Sequence, residues 1–119
     1  MTKVIVIDDD YDMVEVFCQY LEIKGFDVVG RGYNGREAVT LYKQLKPDAV
    51  FLDVMMPYYD GFYALEKIRE LDFTALIIMV TADVRPETRH KLKNLAASAI
   101  IQKPFDFSKM SVLLSSVQA

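Results

Sequence analysis

The side chains best suited to charge or phosphoryl chemistry follow short apolar runs. Asp8, Asp9 and Asp10 follow Val4-Ile5-Val6-Ile7, Asp53 follows Ala49-Val50-Phe51-Leu52, Thr81 follows Ala75 to Val80, and Lys103 comes shortly after Ala99-Ile100-Ile101. A continuous apolar run bounded by turn signals is the pattern of a strand buried on both faces. The residue that ends it lies at the carboxyl edge of the sheet, where open α/β sheets bind ligands. A carboxylate at that edge can serve as nucleophile, as ligand to a hard cation, or as cap of the next helix. Capping explains each acid taken singly. It does not explain why acids, a hydroxyl and an ammonium should all collect at strand ends.

The elements that must position these groups alternate between two periods. After the first strand, Met13, Val14, Phe17, Tyr20, Leu21 and Lys24 recur at helical spacing, with Asp10 or Asp12 as N-cap and Gly25 as stop. Phe26 to Gly32 is polar and glycine-containing, which suits an edge strand. Asn34 with Glu37 three residues on forms a capping pattern for a second helix carrying Ala38, Leu41, Tyr42 and Leu45 and ending near Lys46-Pro47. Asp60-Gly61 opens a third helix with Phe62, Leu65, Ile68 and Leu71. Pro86 suits the first turn of a fourth, and Phe107, Met110, Leu113, Leu114 and Val117 line a fifth. The fourth helix has Leu92 as its only strong hydrophobe, so it is expected to be the least firmly anchored. Strands alternating with helices imply right-handed crossovers and a mostly parallel sheet covered on both faces, with a strand order that the pattern does not give.

Composition narrows the function classes. The 119 residues are the length of one domain, and a net charge of −3 gives no general reason to bind nucleic acid. The single cysteine, Cys18, cannot form an internal disulfide and reads as a small core residue, in keeping with a reducing compartment. No signal-peptide pattern or membrane-length apolar run is present, so the expected location is the cytoplasm. His90 lies on a polar helix and is expected to be simply exposed. Tyr20 and Tyr42 are expected to be core or half-buried packing residues.

The set Asp8-Asp9, Asp53, Thr81-Ala82 and Lys103-Pro104, in this order and at these spacings, resembles the receiver domain of two-component response regulators over essentially the whole chain. The resemblance implies a doubly wound (βα)5 sandwich with a five-stranded parallel sheet in the order 2-1-3-4-5, a CheY-like, flavodoxin-like fold. One receiver domain over residues 1–119 is expected, with no effector domain following Ala119; a stand-alone receiver and a fragment of a longer regulator read alike here. The resemblance also implies a phosphoryl group accepted on Asp53 from a histidine kinase or histidine phosphotransfer protein. Asp9, Asp53 and the backbone carbonyl of Met55 would ligate Mg²⁺ directly, with Asp8 assisting through water. Lys103 and Thr81 would contact phosphoryl oxygens, and the Lys103–Pro104 bond would be cis. The chemistry agrees. Mutually repelling carboxylates call for a cation, and hard oxygens suit Mg²⁺. Asp10 matches no metal-binding position and is expected to cap a helix.

Three departures concern the output step. Ile100 stands where receivers usually carry Tyr or Phe, so the familiar coupling of Thr81 to a rotating aromatic cannot run in that form. Ala96 stands where Gly often closes the fourth helix, making a left-handed cap less favourable. Tyr58 and Tyr59 replace a common Gly and an aliphatic residue, and either form a partner surface or pack over the third helix.

The favoured expectation is a phosphoacceptor switch acting on an unknown downstream protein through the fourth helix, fifth strand and fifth helix. A homodimer through the same face is possible. The protein would catalyse only its own phosphorylation and dephosphorylation. Ile100 is the only support for a constitutive docking module. A haloacid-dehalogenase-like phosphatase would use Asp8 as nucleophile and Asp10 as acid, but Asp12 stands where Thr or Val is expected and there is no cap domain. A flavin site is poor, because the loop after the first strand would need neutral residues around a phosphate.

Overall fold

A computed structural model describes residues 1–118. Strands β1 (Lys3–Ile7), β2 (Asp27–Gly32), β3 (Ala49–Asp53), β4 (Leu76–Thr81) and β5 (Ala99–Gln102) alternate with helices α1 (Tyr11–Ile23), α2 (Gly35–Leu45), α3 (Gly61–Leu71), α4 (Pro86–Asn94) and α5 (Phe107–Val117). The strands pair in parallel in the order β2-β1-β3-β4-β5, as the family resemblance implied. The winding reverses between β1 and β3. The chain leaves their carboxyl ends in opposite directions and opens a crevice there.

Every residue of β3 is buried. Val50 and Leu52 face a core with α2, α3 and α4, while Ala49 and Phe51 face a second core with α1 and α5. This is why the central strands read as continuous apolar runs. β2, at the sheet edge, is half-buried for most of its length, as its polar sequence predicts.

The expected caps form. Asp10 accepts from the N–H groups of Asp12 and Met13, Asn34 from Glu37 and Asp60 from Tyr63, while Pro86 occupies the first turn of α4. Glu37 accepts from the Tyr33 N–H, one residue beyond the N-cap N–H that a capping box would use. α1 and α4 end in the same motif. At α1, Phe26 N–H bonds Leu21 O and Gly25 N–H bonds Glu22 O; at α4, Ala97 N–H bonds Leu92 O and Ala96 N–H bonds Lys93 O. Gly25 takes φ +94° and Ala96 takes φ +64°. The chain therefore adopts the left-handed cap that Ala96 disfavours. Its carbonyl is held by Arg69 Nε at 2.9 Å, and Arg69 also bonds the carbonyls of Phe73 and Ala75 and the Ser98 hydroxyl. One guanidinium ties α3 to the turns before β4 and β5.

α4 buries only Thr88 and Leu92, as its composition predicts. Lys91 Nζ adds a cation–π contact 4.1 Å from the Phe62 ring of α3. Cys18 and Tyr42 are core residues, with Tyr42 Oη donating to Asp72 at 2.8 Å, and His90 is exposed. Tyr20 is half-buried against Phe107.

Candidate functional site: an acidic crevice at the sheet edge

β1 and β3 deliver Asp8 and Asp53 side by side, because Ile7 pairs with Leu52 and each acid is the next residue. Both are buried, at 5% and 6% exposure, while Asp9 is exposed. One carboxylate oxygen from each of Asp8, Asp9 and Asp53 lies within 4.8 Å of the others. Lys103 Nζ enters between them, 2.8 Å from Asp8 Oδ2 and 3.5 Å from Asp53 Oδ1. Its backbone is fixed by an N–H donated to Thr81 O at 2.8 Å, and the Lys103–Pro104 bond is cis.

Thr81 ends β4 one residue beyond Val80, the pairing partner of Asp53. It is buried, and its Oγ1 accepts the Asp83 N–H at 2.9 Å rather than touching an acid. The hydroxyl proton stays available to a further acceptor. Asp10 caps α1, and its N–H donates to Asp8 Oδ1 at 3.0 Å, so the residue expected to have only a structural role also orients a crevice acid. Met55 is exposed just past Asp53, and among the described residues nothing donates to its carbonyl.

Two residues that position the crevice were not singled out as such. Gly61 packs the start of α3 so closely on the Asp53 carbonyl that no Cβ fits, and its N–H bonds Val54 O at 2.9 Å. Asp83 ties the loop after Thr81 to α4, accepting from Arg85 and from Thr88 Oγ1 at 2.6 Å. An Asp two residues before Arg-Pro is a legible Asx-turn signal, whereas nothing in sequence marks Gly61 as more than a helix start.

Electrostatics in the crevice oppose its own charge. Burial, then the Asp8 charge, push the Asp53 carboxyl from 3.8 up to about 7, against the pull of Lys103. Burial and Asp8 also raise Asp9. Burial lowers the Lys103 ammonium, but its hydrogen bond to Asp8 and the charges of Asp53 and Asp8 outweigh this and raise it overall. One ammonium cannot balance three carboxylates. The donor set is all hard oxygen and fits a divalent metal ion of the Mg²⁺ type.

Comparison with known proteins agrees with this arrangement. The sequence pattern described as the response regulator receiver domain matches residues 4–115. The chain is 38% identical over 112 residues to the probable C4-dicarboxylate response regulator DctR of Priestia megaterium, covering 93% of this chain and 49% of that protein. It is 35% identical over 115 residues to the chemotaxis protein CheY of Halobacterium salinarum, covering 97% of this chain and 95% of that one. It thus spans about half the length of the first relative and nearly all of the second. A chain in the crystal structure of the CheX-CheY-BeF3-Mg²⁺ complex from Borrelia burgdorferi superimposes with a TM-score of 0.91 at 31% identity, covering 98% of this chain and 88% of that one. No helix among the described residues is long and apolar enough to cross a membrane. The chain belongs to the response regulator receiver domain family of two-component systems.

Proposed function

We propose that Asp53 accepts a phosphoryl group from a phosphohistidine on a histidine kinase or histidine phosphotransfer protein. The observation that carries this reading is the buried Asp53 carboxylate at the end of β3, with the Lys103 ammonium 3.5 Å away and the Asp8 and Asp9 oxygens beside it. An Asp53 oxygen forms the new P–O bond as the P–N bond to the donor imidazole breaks, and the imidazole keeps the electron pair. Asp9, Asp53 and the Met55 carbonyl, with Asp8 through water, would hold Mg²⁺, which would supply positive charge for the phosphoryl oxygens. Lys103 neutralises a further oxygen, trading part of its bond to Asp8 for it, and the free Thr81 proton is donated to another. Asp8, held by the Asp10 N–H, keeps its orientation throughout.

Phosphorylation then biases a pre-existing equilibrium that a downstream protein reads on the face of α4, β5 and α5. A groove of about 460 Å³ lies there, lined by Arg89, Ile100, Pro104, Lys109, Met110 and Leu113. Ile100 is half-buried and packed against the α2–α4 core, so any change at Thr81 passes to α4 through Asp83 and Thr88 rather than through an aromatic at that position. On this reading the protein turns over no separate substrate and acts in the cytoplasm.

Incubation with acetyl phosphate and Mg²⁺ tests it by intact mass. One phosphoryl adduct, stable in acid and labile in base, is expected in the wild type and absent from Asp53→Asn. An adduct that persists in the variant overturns the assignment.

A further inference from the structure

The loop that leaves Asp53 holds a side chain that the chemistry of the crevice does not need. Tyr59 N–H donates to Pro57 O at 2.9 Å, closing a three-residue turn around Tyr58 at φ +68°. A three-residue turn with positive φ at its centre is rare and strained, and a bulky residue there is a backbone outlier. The strain brings no burial, because Tyr58 is 100% exposed. Nor is the turn loosely attached. Tyr59 O accepts the Gly35 N–H at 2.7 Å, the Tyr59 ring lies 5.0 Å from Tyr63, and Gly61 N–H is bonded to Val54 O.

A fixed loop therefore displays a fully solvated aromatic ring on the segment that leaves the phosphoacceptor. Other exposed apolar groups lie on the same edge. Met55 is 59% exposed on the same loop, and Tyr11, 68% exposed where α1 leaves the acids, is stacked on Tyr33 at 4.1 Å.

We propose that Tyr58, with Met55 on its own loop and the Tyr11–Tyr33 stack on the same sheet edge, is a docking contact for the protein that carries the phosphohistidine. This inference rests on the phosphoacceptor reading of Asp53. A buried acceptor can be reached only by bringing the donor histidine over these loops, so a protein donor must cover this rim. A small phosphodonor enters the crevice without touching Tyr58. A ring already held out in one backbone conformation loses little entropy on contact, which is what makes tyrosine an effective anchor.

The test uses Tyr58→Gly, which removes the ring and relieves the positive φ, and Tyr58→Phe, which keeps the ring. Each is offered to the histidine kinases of the source organism, autophosphorylated with labelled ATP, and to its histidine phosphotransfer proteins charged by them, and rates are taken with the donor that transfers fastest to the wild type. Transfer to Tyr58→Gly is expected to be about tenfold slower than to wild type or Tyr58→Phe, while labelling by acetyl phosphate is equal in all three. Equal transfer to all three from that donor, or transfer from no phosphohistidine protein, overturns the docking role. Failure of acetyl phosphate labelling in the wild type would instead count against Asp53 as acceptor, so the two readings fail separately.

Discussion

Lys103 Nζ lies 2.8 Å from Asp8 Oδ2, closer than it comes to Asp53 at 3.5 Å, so the ammonium is paired mainly with the acid that is not the proposed phosphoacceptor. The pair is largely buried, and removing one partner leaves uncompensated charge. Lys103→Met is expected to destabilise the metal-free protein by about 2–3 kcal/mol near pH 8 in urea denaturation, and by less near pH 5, where the acids take up protons. The same variant is expected to slow labelling by acetyl phosphate about a hundredfold, the usual effect of deleting one charged donor at a reacting oxyanion. An unchanged labelling rate would remove Lys103 from the phosphoryl site.

Asp53 should weaken the metal-free fold. Its carboxyl is held near 7 in the folded chain against about 3.8 when unfolded, so between these values the folded state binds the extra proton. Stability from this group is therefore lost as pH rises through the window, by an amount on the order of 4 kcal/mol if the whole shift is realised. Thermal melts in EDTA should show a falling midpoint from pH 5 to pH 8. Mg²⁺ should raise the midpoint at pH 8 and have little effect at pH 5. Asp53→Asn should raise the metal-free midpoint at pH 8 and flatten the profile.

Ala96 adopts φ +64° with a Cβ that disfavours it. Ala96→Gly is expected to stabilise the chain by about 0.5–1 kcal/mol, seen as a thermal midpoint a few degrees higher, with labelling at Asp53 unchanged. A lower midpoint would mean that Ala96 contributes packing outweighing its strain.

α4 buries Thr88 and Leu92 alone, against four residues buried by α3. Backbone amides of residues 87–94 are expected to exchange with deuterium about tenfold faster than those of Gly61–Leu71, as fits a helix with Leu92 as its one buried hydrophobe. Protection equal to α3 would show that the Lys91–Phe62 contact and the Arg69 clamp anchor the helix more strongly than its burial suggests.

The parts legible in the sequence have a short-range cause. Burial on both faces makes β1, β3 and β4 continuous apolar runs, and caps such as Asp10, Asn34 and Asp60 act within a turn, so the elements and the strand-end acids could be placed directly. Strand order depends on contacts between distant segments, and only the family resemblance supplied it. Ala96 shows the limit of a local rule, since Arg69, remote in sequence, holds its carbonyl. The exposure of Tyr58 was likewise hidden. Two adjacent tyrosines read the same, yet Tyr59 packs beside Tyr63 while Tyr58 is turned fully outward.

Asp53, and neither Asp8 nor any other group, is expected to carry the phosphoryl bond. Borohydride reduces an acyl phosphate to an alcohol and turns a phosphorylated aspartate into homoserine, which peptide mass spectrometry places in the sequence. After labelling with acetyl phosphate and Mg²⁺, homoserine is expected at position 53 alone. Homoserine at position 8, the nucleophile of the phosphatase alternative, or an adduct that yields no homoserine, would overturn Asp53 as the acceptor.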